Sequence, residues 1–325
     1  MVARRSLCIL ALLLSVLTTA GGAASVTGGL EFANTITVDS QGTFSNLFLP
    51  AATLTLASPT QGNVRGEIRI QVPPTVKSTD WDGFISRAYL RARLPHGRLT
   101  LGKSPLSWGD GFFFNAAGIV GRRFEAYRSM AGSDSFWLAS LYLPIGVFDF
   151  VEVVALPSLT GSDVGVASRL YLSLGALKAE AGYAYQESRH TPYVSLQGHL
   201  GATWWLSTSA DVTKEVEELR LSAGLFHSFF LMAGGTISVR GEAMAIPIGK
   251  EGGLLLAIEG GYAPDQSQRL SLSSTYVTRT EALVIGTGFT LIPLEALTLQ
   301  ATVSATFAMW SFEQAGLSLS SSWVF

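Results

Sequence analysis

Cysteine and charge are both scarce in this chain. Its 325 residues include a single cysteine, and charged residues make up only 14% of the total. Because Cys8 falls in a segment that we expect to be removed, the mature protein is predicted to contain no disulfide and no cysteine metal site. Soluble domains usually carry about a quarter charged residues. The low value argues against a soluble secreted β-sandwich, which is the main alternative fold, and the near-neutral balance gives no indication of a nucleic-acid partner.

Long apolar runs are missing everywhere except at the N-terminus. The run from Leu7 to Leu17 follows two arginines and leads into small residues that end at Ala24. This order is typical of a secretory signal peptide, and the run is too short to favour a membrane-anchoring helix. We therefore predict a signal peptide over residues 1–24 and one domain over residues 25–325. Within that domain no stretch reaches the length of a transmembrane helix, although 48% of the whole chain is apolar.

The apolar residues of the domain instead alternate with polar ones. In Val64–Val72, aliphatic side chains alternate with Arg65, Glu67, Arg69 and Gln71. Lipid offers no hydrogen bonds to a backbone, so strands of this kind can cross a membrane only in a closed barrel, with the aliphatic face towards lipid. The same alternation recurs in Phe84–Leu94, Leu177–Gln186, Trp204–Val212, Ile237–Ala245 and Leu297–Phe307.

Short turns and longer polar connections follow one another along these strands. Leu174-Gly175 is one of the short turns, and Gln186–Pro192 is one of the longer connections. Barrels of the outer membrane have short periplasmic turns and longer external loops. The sequence thus predicts an all-β fold, a transmembrane antiparallel up-and-down β-barrel of about 18 strands, with about 16 as the alternative count and both termini on the periplasmic side.

The last strand carries its apolar residues on one face up to the final residue. Leu319, Trp323 and Phe325 share this face, and serines occupy most of the other. The pattern resembles the C-terminal targeting signal of Gram-negative outer-membrane proteins, from which Ser321 is a small departure. The resemblance implies contact with outer-membrane lipids and with the export and barrel-assembly machinery. A homotrimer is one expected assembly.

Residues for catalysis or metal binding do not cluster in the sequence. The four histidines, His96, His190, His199 and His227, are isolated, and none has metal-ligand spacing to another ligand residue. A barrel enzyme would need a histidine grouped with serine or aspartate at one rim. We therefore predict no enzyme activity, no metal and no cofactor.

Basic residues are concentrated on three consecutive predicted strands. We expect their inward faces to form a positive wall in the lumen, and later strands are predicted to supply further lumen charges. Arginines that pair with Glu67 and loop acids to fill a plugged lumen are the alternative. The wall consists of Arg65, Arg69, Arg87, Arg91, Arg93, Arg98 and Lys103. The later residues are the acids Glu180, Asp211, Glu242 and Glu259, with Arg240 also facing inward.

A segment rich in glycine and aromatic residues follows the third of these strands. Residues 101–115 resemble an "LGKxxxSWGxGxxFN" stretch found in bacterial outer-membrane barrels related to large porins. The resemblance implies a porin-like channel and no particular solute. We predict that the segment folds back into the lumen as a constriction with Trp108, Asp110 and Asn115, with Asp110 opposite the positive wall. An ordinary surface loop is the alternative.

Together these patterns predict a passive channel for small hydrophilic solutes that prefers anions. A transporter of hydrophobic compounds such as fatty acids is one alternative, but it calls for an apolar pocket. An adhesin or a structural barrel is the other alternative, and it would need larger external loops.

Overall fold

The computed structural model describes residues 25–58, 62–72, 84–106, 108–118, 135–157, 164–186, 188–213, 215–232, 234–249 and 252–325. The predicted signal peptide and Cys8 lie outside these ranges. The described residues form one 18-stranded antiparallel sheet that closes on itself. The prediction of an all-β barrel with 18 strands is therefore confirmed. Among the described residues, no helix has the length and the apolar character needed to cross a membrane.

The strands follow one another around the cylinder in chain order. The first nine are β1 Ser25–Asp39, β2 Phe44–Ala57, β3 Val64–Val72, β4 Ile85–Leu94, β5 Gly97–Pro105, β6 Ser135–Pro144, β7 Phe150–Leu156, β8 Gly165–Leu174 and β9 Leu177–Gln186. The other nine are β10 Arg189–Leu200, β11 Ala202–Val212, β12 Val216–Phe230, β13 Thr236–Ile248, β14 Gly253–Ala263, β15 Gln268–Val277, β16 Ala282–Leu294, β17 Leu297–Ala308 and β18 Ser311–Val324.

The start of β1 and the final residue of the chain meet where the first and last strands close the barrel. The Gly28 N–H donates to the Phe325 carbonyl at 2.7 Å, and the Phe325 N–H donates to the Gly28 carbonyl at 2.8 Å. The Phe325 ring lies against Gly28, where any Cβ would overlap it. Leu319 and Trp323 are exposed on the outer face, and the rings of Trp323 and Phe325 lie 5.9 Å apart. Their role in targeting stays a prediction.

The two ends of the barrel differ in the length of their connections. At the end where β1 begins and β18 ends, called the terminal end, Gly175 and Gly201 sit in tight turns with φ of 68° and 74°. Such values are open to glycine without strain. At the opposite end, called the loop end, β3 ends at Val72 and β4 begins at Ile85, and β5 ends at Pro105 and β6 begins at Ser135. The connection predicted over Gln186–Pro192 is shorter than expected, because strand pairing continues through its polar residues up to the pair of Gln186 with Arg189.

Candidate functional site: the barrel lumen

On each strand every second residue faces the lumen, and we call this set of positions the lumen parity. The pairing of neighbouring strands identifies the lumen parity of one strand from that of the next. Arg240 on β13 pairs with Glu259 on β14, which pairs with Ser273 on β15. The other parity carries large exposed apolar side chains, such as Leu256 and Ile258. Directly paired residues of neighbouring strands point to the same face of a sheet. The polar parity therefore forms the wall of the lumen, and the apolar parity forms the outer surface.

Residues 108–118, called the inward segment, leave the loop end and lie inside the barrel. The Trp108 indole N–H donates to the Glu152 carboxylate on β7 at 3.2 Å. The Gly109 backbone N–H donates to the Glu180 carboxylate on β9 at 3.0 Å. Both carboxylates belong to the lumen wall, so the segment begins within the lumen.

Trp108 anchors the start of the inward segment. Its ring stacks on Tyr193 with a centroid separation of 6.1 Å, and the Arg169 guanidinium lies 5.3 Å from the indole. The Tyr193 hydroxyl donates to Glu180, and its ring lies flat against Gly182 on the neighbouring strand. Trp108 is only 2% exposed. It therefore acts as a buried anchor and does not present its ring to a solute.

Asp110 is held by two buried serines of the wall. Its backbone N–H donates to Ser195 Oγ at 3.3 Å, and the Ser195 hydroxyl donates to its carboxylate at 3.1 Å. The Ser207 hydroxyl donates to its carbonyl at 3.2 Å. These contacts hold Asp110 against β10 and β11. Asn115 closes the segment on itself, because its side-chain amide donates to the Trp108 carbonyl at 2.7 Å.

The far end of the inward segment is attached to β13. The Glu242 carboxylate accepts the N–H groups of Phe112 and Phe113 at 3.1 and 2.7 Å, and the Trp205 indole N–H at 3.2 Å. Phe114 is buried against Met244 and its neighbours on β13 and β14. Backbone N–H groups removed from water need acceptors. Glu242 accepts two of these N–H groups, and the apolar contacts hold the aromatic residues against the wall.

Six arginines on β3, β4 and β5 share the lumen parity. Arg65 lies directly opposite Arg91, Arg69 opposite Arg87, and Arg93 opposite Arg98. Like charges that face each other across strands destabilise a sheet unless water or anions screen them. The pairs therefore indicate a hydrated wall. We call these six residues the arginine rows.

Few carboxylates accompany the arginine rows. Glu67 lies among them. It forms an ion pair with Arg87 at 3.4 Å and accepts a hydrogen bond from the Tyr89 hydroxyl at 2.7 Å. Arg91 lies 5.1 Å from the Tyr89 ring, and Arg98 lies 4.6 Å from the Tyr142 ring. In the part of the chain that the structure describes, Arg87 is the one member of the rows with an ion pair. The rows therefore keep most of their positive charge.

Lys103 does not join the arginine rows. It pairs with Ala88 on β4 and with Trp137 on β6, whereas the lumen positions of β5 include Arg98 and Thr100. Positions 98 and 103 differ by an odd number, and side chains alternate along a strand, so the two residues face opposite sides. The prediction that both line the lumen overlooked this alternation.

The predicted acids face the lumen but are bonded within the wall. Glu180 pairs with Arg169 at 3.5 Å, and Glu259 pairs with Arg269 at 2.6 Å. Asp211 lies in a cluster with Arg220 and Arg189, at 3.4 and 3.7 Å. Glu242 holds the inward segment, as described above. These carboxylates face the lumen as predicted by their parity, and each of them is engaged in contacts within the wall or with the inward segment.

The remaining wall carries mostly small residues, many of them with hydroxyl groups, and is called the hydroxyl face. It comprises the lumen positions of β15–β18, β1 and β2. Thr302 on β17 pairs with Ser318, whose hydroxyl accepts from Thr35 Oγ1 on β1 at 3.1 Å. On β16 the same parity carries Gly286 and Gly288. Most of these side chains are short and uncharged, with Glu31 on β1 and Arg269 on β15 among the charged exceptions, and this leaves room in front of the arginine rows and the inward segment.

Sequence reasoning missed several residues that hold the inward segment. Glu152 and Arg169 form an ion pair at 2.9 Å under Trp108, and Tyr193 and Trp205 support it from β10 and β11. Their inward parity was available from the sequence. Their role was not, because it depends on contacts with an inward segment that lies far away along the chain, as in the bond between Trp108 and Glu152.

The described residues hold no group of three or more His, Cys, Asp or Glu side chains that could bind a metal ion. His190 contacts the Tyr183 hydroxyl, and His227 lies 4.2 Å from the Phe229 ring. Both histidines thus contact aromatic neighbours.

The chain has the fold of outer-membrane porins from Pseudomonas and Acinetobacter. Pseudomonas aeruginosa OpdL superposes with a TM-score of 0.64 at 11% identity, covering 93% of this chain and 98% of that one. Acinetobacter baumannii OccAB4 gives 0.63 at 11% identity, covering 94% and 98%. Pseudomonas aeruginosa OpdK, in a structure with vanillate, gives 0.64 at 8% identity, covering 93% and 98%. Neither a protein-family model nor a curated protein sequence matches the chain.

Proposed function

We propose that this protein is an outer-membrane channel for the passive diffusion of small hydrophilic solutes, with a preference for anions. The observation that carries the proposal is the contrast in charge along the lumen wall. The arginine rows keep most of their charge, whereas the acids Glu180, Asp211, Glu242 and Glu259 are bonded within the wall. A wall of hydrated cations raises the local concentration of anions and lowers that of cations.

The fold supports a conducting barrel. Barrels of 16 to 18 strands leave an aqueous channel in their interior, and this one has 18 strands in a closed sheet. The inward segment fills part of that interior along β7 to β13, while the hydroxyl face carries mostly short side chains. A pathway between the inward segment, the arginine rows and the hydroxyl face would suit small polar solutes.

The same proposal fixes a location and an orientation. A signal peptide over residues 1–24 would direct the chain to export, and the C-terminal strand with Leu319, Trp323 and Phe325 would direct its assembly in the outer membrane. The terminal end would then face the periplasm. Barrels of this class place short turns on the periplasmic side, and the turns at Gly175 and Gly201 lie at the terminal end.

Single-channel recording of the refolded protein in planar bilayers tests this function. We expect discrete conductance steps and a reversal potential that favours chloride over potassium. Replacing Arg87, Arg91 and Arg93 together by glutamine should move the reversal potential towards potassium. The shift should grow at low salt, since the Debye length rises from about 8 Å at physiological ionic strength to about 30 Å at 0.01 M.

Lys103→Gln is the matched control for the triple variant. It also removes positive charge, but from the parity of Ala88 and Trp137. Its reversal potential should match that of the unmodified protein. A triple variant that assembles and keeps the original ion preference would contradict the proposed role of the arginine rows. A protein that assembles without any conductance would contradict the channel itself.

A further inference from the structure

One lumen arginine, Arg240, packs against the inward segment and lies apart from the arginine rows. The Arg240 guanidinium carbon on β13 lies 3.4 Å from the centroid of the Phe112 ring and 4.9 Å from that of Phe226. A guanidinium against aromatic rings is stabilised by the electron-rich ring faces. Arg240 is therefore fixed between the wall and the inward segment by its flat faces, while its N–H groups point outward in the plane of the guanidinium.

The acids that could neutralise Arg240 are bonded elsewhere. Glu259 is its direct cross-strand partner, yet the Glu259 carboxylate pairs with Arg269 at 2.6 Å. Glu242 lies two residues along the same strand, and it accepts from Phe112, Phe113 and the Trp205 indole. Across the ranges that the structure covers, no carboxylate forms an ion pair with Arg240.

Arg240 is also accessible from the lumen. The residue is half-buried, and none of its nitrogens is among the buried polar atoms that lack a partner. Phe112, which covers one face of its guanidinium, is 42% exposed. Guanidinium N–H groups bind anions through short charge-assisted hydrogen bonds. A solute that passes the inward segment would therefore meet a cation and the edge of an aromatic ring together.

We propose that Arg240 and Phe112 form an anion-binding contact in the lumen, separate from the arginine rows, and that this contact helps to set ion selectivity. The inference rests on the proposed channel function. Phe112 holds the guanidinium in a fixed orientation, and Arg269 keeps Glu259 away from it. The anion is bound by the edge of the guanidinium that the protein leaves unused.

Reversal potentials in potassium chloride gradients test the contact in the assembled channel. Arg240→Gln should lower the permeability ratio of chloride to potassium by about threefold, the size expected of one partly exposed charge. Arg240→Lys keeps the charge and loses the planar stacking, so it should lower the ratio less. Phe112→Leu should also lower the ratio, because a guanidinium released from the ring can swing towards Glu259. Phe289→Leu, on the outer face, is the matched control and should leave the ratio unchanged.

Arg269→Gln tests the contact without altering either of its members. Loss of the ion pair frees Glu259 to bond to its cross-strand neighbour Arg240, so the permeability ratio should fall. Glu259→Gln combined with Arg269→Gln should restore the ratio, since no acid is then left to neutralise Arg240. Failure of that restoration would overturn the inference.

Two further outcomes separate this inference from the function on which it rests. If Arg240→Gln, Arg240→Lys and Phe112→Leu all raise conductance and leave the permeability ratio unchanged, Arg240 merely holds the inward segment and the inference is wrong, although the channel stands. If the unmodified protein conducts without any ion preference, the proposed preference for anions is wrong as well. Selectivity that is lost in the triple arginine variant but kept in Arg240→Gln assigns selection to the arginine rows alone and also overturns the inference.

Discussion

The two sides of the lumen differ in what they contact: one side binds the inward segment, and the other does not. The side from β7 to β14 supports the inward segment and carries buried carboxylates, buried serines and large aromatic rings, including Glu180, Ser195 and Trp205. The hydroxyl face, from β15 through β18 to β2, carries short polar side chains such as Thr302 and Ser318. Both sides follow the same alternation of polar and apolar residues in the sequence, but only one of them receives chain from elsewhere in the molecule.

The difference follows from what an inserted backbone requires. A segment without regular structure brings N–H and C=O groups that must be bonded once they leave water. Glu180 and Glu242 accept N–H groups, while the hydroxyls of Ser207 and Ser209 donate to carbonyls of Asp110 and Ala116. The hydroxyl face has no such task, because water bonds to its side chains. Glu180 and Glu242 are thus buried charges that support the segment, whereas the arginine rows are at least partly exposed along the proposed pathway.

Removal of the inward segment should have the largest effect. We expect that replacing residues 109–117 by a short Gly-Ser linker increases single-channel conductance at least about twofold, since the linker no longer occupies the lumen. The carboxylates left behind, Glu180 and Glu242, become hydrated, so heat-modifiable mobility on gels should still show assembly. Replacing Ser271 and Ser273 on the hydroxyl face by alanine is the control and should leave conductance nearly unchanged. An assembled variant with the original conductance would show that the segment does not limit flow.

Two glycines under the aromatic supports should have an intermediate effect. Gly182 lies under the Tyr193 ring and Gly224 under the Trp205 ring, so a methyl group at either position overlaps the ring. Alanine there should lower the free energy of unfolding by about 1–3 kcal/mol, as overpacking does. Urea unfolding in detergent micelles, followed by tryptophan fluorescence, measures this change.

Gly241 and Gly260 are the matched controls for these substitutions, because a methyl group there meets nothing within 4 Å. Their alanine variants should unfold at the same urea concentration as the unmodified protein. Equal loss of stability in all four variants would mean that the backbone freedom of glycine determines the change in stability, and that overlap with the aromatic rings does not.

The turn between β14 and β15, where the two sides meet, should show the smallest effect. Asp265 accepts the Ser267 hydroxyl and the Ser267 N–H, both at 2.7 Å. These bonds, the hydroxyl first, lower the pKa of Asp265 below its usual value of 3.8. A lowered pKa means that the ionised carboxylate stabilises the turn above about pH 4, and that this stabilisation is lost as the pH falls through the folded value.

Hydrogen exchange of the Ser267 amide measures this contribution. Protection should fall below about pH 4 in the unmodified protein, relative to the intrinsic exchange rate. In Asp265→Ala protection should be low at every pH. Protection that stays constant from pH 2 to pH 6 would show that the carboxylate does not hold the turn.

The sequence predicted the barrel, its strand count and its lumen parity because these depend on local alternation. Val64–Val72 shows this, since its charged positions are the ones that face the lumen in the structure. Lys103 shows that a basic residue on one of these strands need not face the lumen, because its position on β5 has the opposite parity to Arg98. The inward course of residues 108–118 was predicted from their glycines and aromatic residues, but Asp110 binds Ser195 on β10 and was expected to face the arginine rows.

What the sequence determined by itself is therefore the architecture, since a two-residue period together with the need to bond every backbone group in lipid leaves a closed barrel as the solution. Only the tertiary structure decided which charges are available. Glu259 and Arg240 are equally polar in the sequence and face each other in the barrel, yet the acid is bonded to Arg269 and the arginine to Phe112. Partners such as Phe112 and Arg240 lie far apart along the chain and meet only when the segment enters the lumen, so the spacing of residues carries no record of their contact.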